Sequence, residues 1–96
     1  MLALEPDLQS FLKALASEKR QDIMFLFQNG KELTVNEVAH LAGIGQSTAS
    51  EQLAILKRAG LLHSRKKGKE VYYSPDREQI LTAMQKLSLY LTHCCK

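Results

Sequence analysis

No apolar run in this chain of 96 residues approaches the ~20 residues that a membrane-spanning helix needs. The opening Met1-Leu2-Ala3-Leu4-Glu5-Pro6-Asp7 has neither the basic start nor the long apolar stretch of a secretory signal, so a soluble, cytoplasmic protein with no membrane partner is expected. Cysteine is scarce. The only two, Cys94 and Cys95, are adjacent, and neighbouring cysteines bridge each other only with strain, which excludes a disulfide framework. Repeats and low-complexity segments are absent. So are the patterns of an enzyme: His40, His63 and His93 are scattered, with no nucleophile–base spacing, no Gly-rich phosphate loop and no paired acids. Acidic residues are missing from one stretch in particular. Lys57 to Lys69 holds six Lys or Arg (57, 58, 65, 66, 67 and 69) and no Asp or Glu, leaving seven basic against ten acidic residues elsewhere. The net charge of +3 says little by itself, but its clustering is the footprint of a phosphate-backbone binder. A merely solvated surface hairpin is the alternative.

What is present fills one small domain, residues 1–96. A core of this size is marginal, and burying further surface in a dimer would stabilise it. Leu4, Leu8, Phe11 and Leu15 recur on one face of a first helix within residues 1–16, and Pro6 suits its first turn. Ser17 is placed to cap a second helix reaching Asn29, with Gly30 ending it. Ile23, Phe25, Leu26 and Phe27 are expected in the central core. Thr34 with Glu37 is a capping box opening a short helix to about Ala42, whose inner face is Val35, Val38, Ala39 and Ala42. Gly43 and Gly45 flank Ile44 in a sharp turn. A fourth helix runs from Gln46 to about Ala59 and stops at Gly60. Its inner face is Ala49, Leu53 and Leu56, and its outer face carries Ser47, Ser50, Glu51, Ala54 and Arg58. Leu61–Arg65 and Glu70–Ser74 read as paired strands around a Lys66-Lys67-Gly68-Lys69 tip. Ser74 and Pro75 suit the cap and first turn of a last helix over 75–95, with the stripe Ile80, Met84, Leu87 and Leu91. The expected fold is mainly α, five helices with a β-hairpin wing at 61–74.

Residues 34–59, two short helices around a tight turn, match a helix-turn-helix, whose second helix enters the DNA major groove. Gln46, Ser47 and Thr48 open that helix, where free N–H groups and the helix dipole attract phosphate. Gln46 can pair bidentately with adenine, and the hydroxyls of Ser47 and Ser50 can serve either role with base edges. Lys57, Arg58, Arg65, Lys66, Lys67 and Lys69 are expected on phosphates, which position a protein without reading sequence. A winged-helix module for protein contacts shares this fold. The basic hairpin following directly on the second helix is what favours double-stranded DNA.

Several segments together resemble the arsenic-repressor (ArsR/SmtB) family of winged-helix transcription repressors. They are Leu15-Ala16-Ser17-Glu18-Lys19-Arg20 leading into Ile23, Gln46-Ser47-Thr48-Ala49-Ser50, Leu53 through Leu62, and Gly68-Lys69-Glu70-Val71-Tyr72-Tyr73. The resemblance implies a homodimer that represses its promoter until an inducer binds, joined through the first and last helices at 1–16 and 75–95. It places Leu4, Leu8, Phe11, Leu15, Ile80, Met84, Leu87 and Leu91 at the interface, although these stripes can equally complete each subunit's own core. A two-fold dimer would present two recognition helices roughly one DNA turn apart, hence an inverted-repeat operator. Glu51 departs from the family's more usual basic or neutral residue. A carboxylate there repels phosphate but can accept from cytosine N4, so Glu51 is expected to restrict the operator. The competing reading is a solvated glutamate paired with Arg58.

The resemblance also locates inducer sites to check. The family's arsenic site has Cys-Val-Cys after Glu-Leu, where this chain has Glu32-Leu33-Thr34-Val35-Asn36, without either thiol. The zinc pattern of the last helix is not matched by Asp76, Glu78 and His93. What remains is Cys94-Cys95, similar to a cysteine pair that some arsenic repressors carry after the last helix with a third cysteine further on; none follows here. Arsenite or a soft divalent metal at Cys94 and Cys95 is the expected inducer, with a small thiol or the partner subunit completing the set and His93 able to assist. Redox or persulfide sensing through the same thiols, or no sensing role at all, are the alternatives. No cofactor is expected for folding.

Overall fold

Ala49, Leu53 and Leu56 fall on one side of a 3.6-residue period, and all three are fully buried. That side draws the fourth helix into the centre of the molecule, against Phe11, Ala14, Ile23, Phe27, Leu33, Val38, Leu61 and Leu62. The computed structural model describes residues 4–94. In chain order the elements are α1 (Pro6–Leu15), α2 (Glu18–Phe25), a 3-10 turn at Gln28–Gly30, β1 (Leu33–Thr34), α3 (Val35–Ala42), α4 (Gln46–Arg58), β2 (Leu62–Lys67), β3 (Glu70–Pro75) and α5 (Arg77–Cys94). None of the described helices is long and apolar enough to cross a membrane.

Local chemistry sets most boundaries. Ser17 Oγ accepts from the Arg20 N–H and caps α2. Thr34 Oγ1 accepts from the Glu37 N–H while the Glu37 carboxylate accepts from the Thr34 N–H at 2.8 Å, closing the capping box of α3. Gly43 ends α3 in the left-handed region at φ 67°. Gly60, at φ 85°, ends the turn after α4 where a Cβ would meet Gln79 Oε1 at 2.6 Å; glycine suits both the backbone sign and the close approach.

Four expectations change. The second helix stops at Phe25, because the chain tightens through Leu26 and Phe27 and Asn29 turns left-handed at φ 66°. Phe25 is therefore not core. It is 67% exposed, on a short helix whose Ile23 alone is fully inserted. Ala42, expected on the inner face of α3, is exposed at its last turn. Ser74 and Pro75 belong to β3, and Asp76 caps α5 instead, its carboxylate accepting from the Gln79 N–H at 3.2 Å.

The hairpin is also part of a larger sheet. Leu33 and Thr34 pair antiparallel with Tyr73 and Tyr72, giving the order β1-β3-β2. A wing that seemed a free ribbon is thus stitched to the start of α3. Replacing Leu53 by Ala should lower unfolding free energy by about 2–5 kcal/mol. Phe25→Ala should stay within about 0.5 kcal/mol, both read from denaturant midpoints.

Candidate nucleic-acid interface

The α3–α4 pair is held by the core, and the turn between them fixes what α4 presents. Ile44 packs onto the core, and Gly45 precedes α4 with no side chain to cap it. The first-turn N–H groups of α4 are accordingly not bonded within the chain, as every helix start leaves them unless capped. Gln46, Ser47, Ser50 and Glu51 are exposed around this end, and Thr48 is half-buried. Glu51 forms no ion pair among the described residues, so the contact with Arg58 does not occur.

The wing stands beside the other end of α4. Lys57 Nζ donates to Ser64 Oγ on β2 at 2.8 Å. Lys67 lies opposite Glu70, so Gly68 and Lys69 are the whole turn. Gly68, at φ 64°, supplies the positive first φ of a type II′ hairpin. Strand alternation then divides the basic residues. Lys66 shares a face with Ser64 and Leu62, whereas Arg65 and Lys67 share the reverse face with His63.

Two of the six cations are diverted. The Arg65 guanidinium grips Glu32 through two bonds, Nε to Oε2 at 2.6 Å and Nη2 to Oε1 at 2.8 Å, a bidentate pair that ties the wing to the segment entering β1. Its hydrogen bond holds the Glu32 carboxyl below its ordinary value of 4.5, and Arg65 is raised in turn. Arg58, at the far end of α4, lines two clefts, one against Ser10, Lys13, Ala14 and Arg20 and one shared with Gln79 and Lys86. Twelve residues at 1.5 Å each put it about 18 Å along the helix from Gln46. Exposed lysines 57, 66, 67 and 69 remain around the wing.

Sequence reasoning missed three polar ties. Glu32 is one. At the wing base, His63 Nε2 lies 2.8 Å from Ser74 Oγ, and His63 Nδ1 is 3.9 Å from Asp76 at the start of α5. Arg20, on α2, bonds both α1 and Gln52 of α4. The available signal was slight: a glutamate just before the capping box, and an arginine three residues after a cap.

The terminal-helix stripes are only partly free for a partner. Leu8 and Phe11 are 5% and 2% exposed, already taken by the protomer's own core, while Leu4 and Leu15 are half-buried. On α5, Ile80 packs against the core and Leu87 is half-buried. Met84 and Leu91 are exposed, and so is Leu81 on the same side, so the outward stripe is rotated from the expected one. Cys94 closes α5; Cys95 lies outside the described residues.

A helix-turn-helix with a hairpin packed beside its second helix is a winged helix-turn-helix, a class of DNA-binding domain. The sequence model for bacterial regulatory proteins of the arsR family matches residues 17–64. The chain belongs to the ArsR family of transcriptional regulators. It is 36% identical over 84 residues to a CadC-homologue cadmium resistance transcriptional regulatory protein of Staphylococcus aureus, spanning 88% of this chain and 69% of that one. It is 38% identical over 76 residues to the arsenic resistance transcriptional regulator ArsR1 of Pseudomonas putida, covering 77% of this chain and 59% of that one. Among solved structures, HlyU of Vibrio cholerae superposes with a TM-score of 0.67 at 30% identity, covering 92% of both chains. A homodimeric winged helix-turn-helix DNA-binding domain from Mycobacterium bovis superposes with a TM-score of 0.71 at 26% identity, covering 97% of this chain and 93% of that one.

The Glu32–Arg65 pair has a defined pH dependence. A carboxylate whose folded pKa is depressed keeps its contribution above the ordinary value and loses it as pH falls through the folded one. The wing tether should hold at neutral pH and release only below 4.5. A carbon-13 NMR titration of the Glu32 carboxyl should give a midpoint below 4.5 that rises in Arg65→Gln; an unmoved midpoint would rule the tether out in solution.

Proposed function

We propose that this regulator is a sequence-specific DNA-binding repressor that acts as a homodimer on an inverted-repeat operator. The observation that carries this is the outer surface of α4. Its uncapped start and small polar side chains are exposed while its inner face is locked in the core, and a lysine-bearing wing is bonded to its far end. Gln46, Ser47, Thr48 and Ser50 are the base-reading candidates. Lys57, Lys66, Lys67 and Lys69 are the phosphate contacts; Arg65 and Arg58 serve the backbone only from more distant positions. The exposed Leu81 and Met84 on α5 supply apolar area for the two-fold contact.

The experiment is salt-dependent fluorescence anisotropy on a duplex that the protein selects from random-sequence DNA. Lys66→Ala should weaken binding to all sequences and lower the salt slope by about one. Glu51→Gln should change which sequences are selected, since the carboxylate can accept from cytosine N4 and an amide can also donate. Selection of the same sequences by both proteins would remove Glu51 from the reading set.

For release, we infer arsenite or a soft divalent metal at Cys94 and Cys95. The names of the related cadmium and arsenic resistance regulators support soft-ion chemistry, and adjacent thiols suit such ions. Their place at the end of α5 joins them to the helix proposed to pair the subunits, so an ion gathering them changes the relation between the two reading heads. Coupling of this kind is reciprocal. Titrating the protein–DNA complex with arsenite or cadmium should release wild type and leave the Cys94→Ser/Cys95→Ser variant bound. Equal release of both would eliminate this site.

A further inference from the structure

We propose that Arg20 is a positioning residue for the reading helix, fixing the rotation of α4 about its own axis by tying Gln52 to the end of α1. The inference rests on the DNA-binding reading above. Arg20 Nε donates to the Ala14 carbonyl at 2.8 Å, Nη2 to the Lys13 carbonyl at 3.2 Å, and Nη1 to Gln52 Oε1 at 3.1 Å. Each nitrogen of one planar, rigid group is thereby committed, two to the last turn of α1 and one to the middle of α4. Its own backbone is fixed too, since the Arg20 N–H donates to the capping Ser17 Oγ at 3.3 Å.

The need for such a tie follows from the kind of contact that holds α4 otherwise. Ala49, Leu53 and Leu56 are buried by apolar packing, which is non-directional and resists separation better than roll. Gln52 sits on the flank of the helix, between the buried side and the exposed side, where a directional bond opposes roll most directly. With side-chain tips about 5–6 Å from the axis, a roll of about 15° moves Ser47 or Glu51 by about 1.5 Å. That exceeds the whole usable range of hydrogen-bond distances, 2.7–3.2 Å for N–H···O, so base-edge contacts fail while looser phosphate contacts survive. Arg20 forms no ion pair among the described residues, and its partner on α4 is neutral. Its role is therefore geometric rather than one of charge balance. Because α1 is also a proposed dimer element, the same tie relates each reading head to the subunit contact.

The test compares Arg20→Lys, Gln52→Ala, their double variant and Gln52→Glu on two probes, a duplex selected by the wild-type protein and a random-sequence duplex. Arg20→Lys and Gln52→Ala should each weaken the selected duplex about tenfold, with the double variant no worse than either alone, as coupled groups behave. Random-sequence affinity and the salt slope should not change, and Gln52→Glu, which keeps the acceptor, should stay within about twofold of wild type. Gln52→Ala leaves both Arg20 bonds to α1 intact, so a folded variant is available, checked by its melting curve. Additive losses, or a salt slope reduced by about one as for a phosphate contact, would overturn the proposal. A wild-type protein that selects no sequence sinks the DNA reading and this inference together. Selection without coupling sinks this inference alone.

Discussion

Burial of one side of α4 is the constraint on which the rest of the structure depends. Ala49, Leu53 and Leu56 are fully excluded from water, and each buried leucine contributes roughly 1.5–3 kcal/mol relative to exposure. The reading helix is thus not an appendage carried by a scaffold; it is the scaffold's central element. Withdrawing its inner face would open the core shared by α1, α2, α3 and β2. The same chain that binds must therefore fold with its outer surface already aimed outward, and little ordering cost is left for the encounter with a ligand.

Apolar packing of this sort sets position but leaves orientation soft. Directional contacts at the margins complete the work. The wing is held from both sides of its sheet, by Lys57 on Ser64 and by Arg65 on Glu32, and its base is tied through His63 to Ser74 and Asp76. β1 adds a ladder to β3 that links the wing to the capping box of α3. These ties are mostly exposed and individually weak. Their value lies in joining elements that the core alone would let slide.

Legibility in the sequence followed the range of the interaction. The Thr34–Glu37 capping box, the left-handed Gly43, the start of α4 at Gln46 and its buried trio are all set by residues within a turn or two of one another, and the periodicity exposes them directly. β1 was invisible because two residues carry no alternation, and their partners lie some forty positions away. Glu32–Arg65 and Arg20–Gln52 span 33 and 32 positions, with nothing local to mark them. Phe25 was misjudged for a different reason. Its neighbours Leu26 and Phe27 leave the helix, so the helical wheel on which it was placed ceases one residue later. The candidate reading residues were legible as a set, but the basic patch was not, since adjacency in sequence hides which face of a strand each cation takes.

That correction bears on why two copies are needed. The stretch from Lys57 to Lys69 holds six cations, yet Arg65 is neutralised by Glu32 and Arg58 lies in clefts against α1 and α5. No more than four lysines per protomer are placed for phosphate. At about −0.9 per phosphate, one protomer reaches a salt slope of only about −3.6, and the proposed two-fold pair reaches about −7. A rigid pair also makes the second contact intramolecular, which multiplies affinity without any new residue. Small core and modest charge thus press in the same direction: dimerisation covers the apolar stripe of α5, and it doubles a phosphate grip that one subunit supplies only weakly.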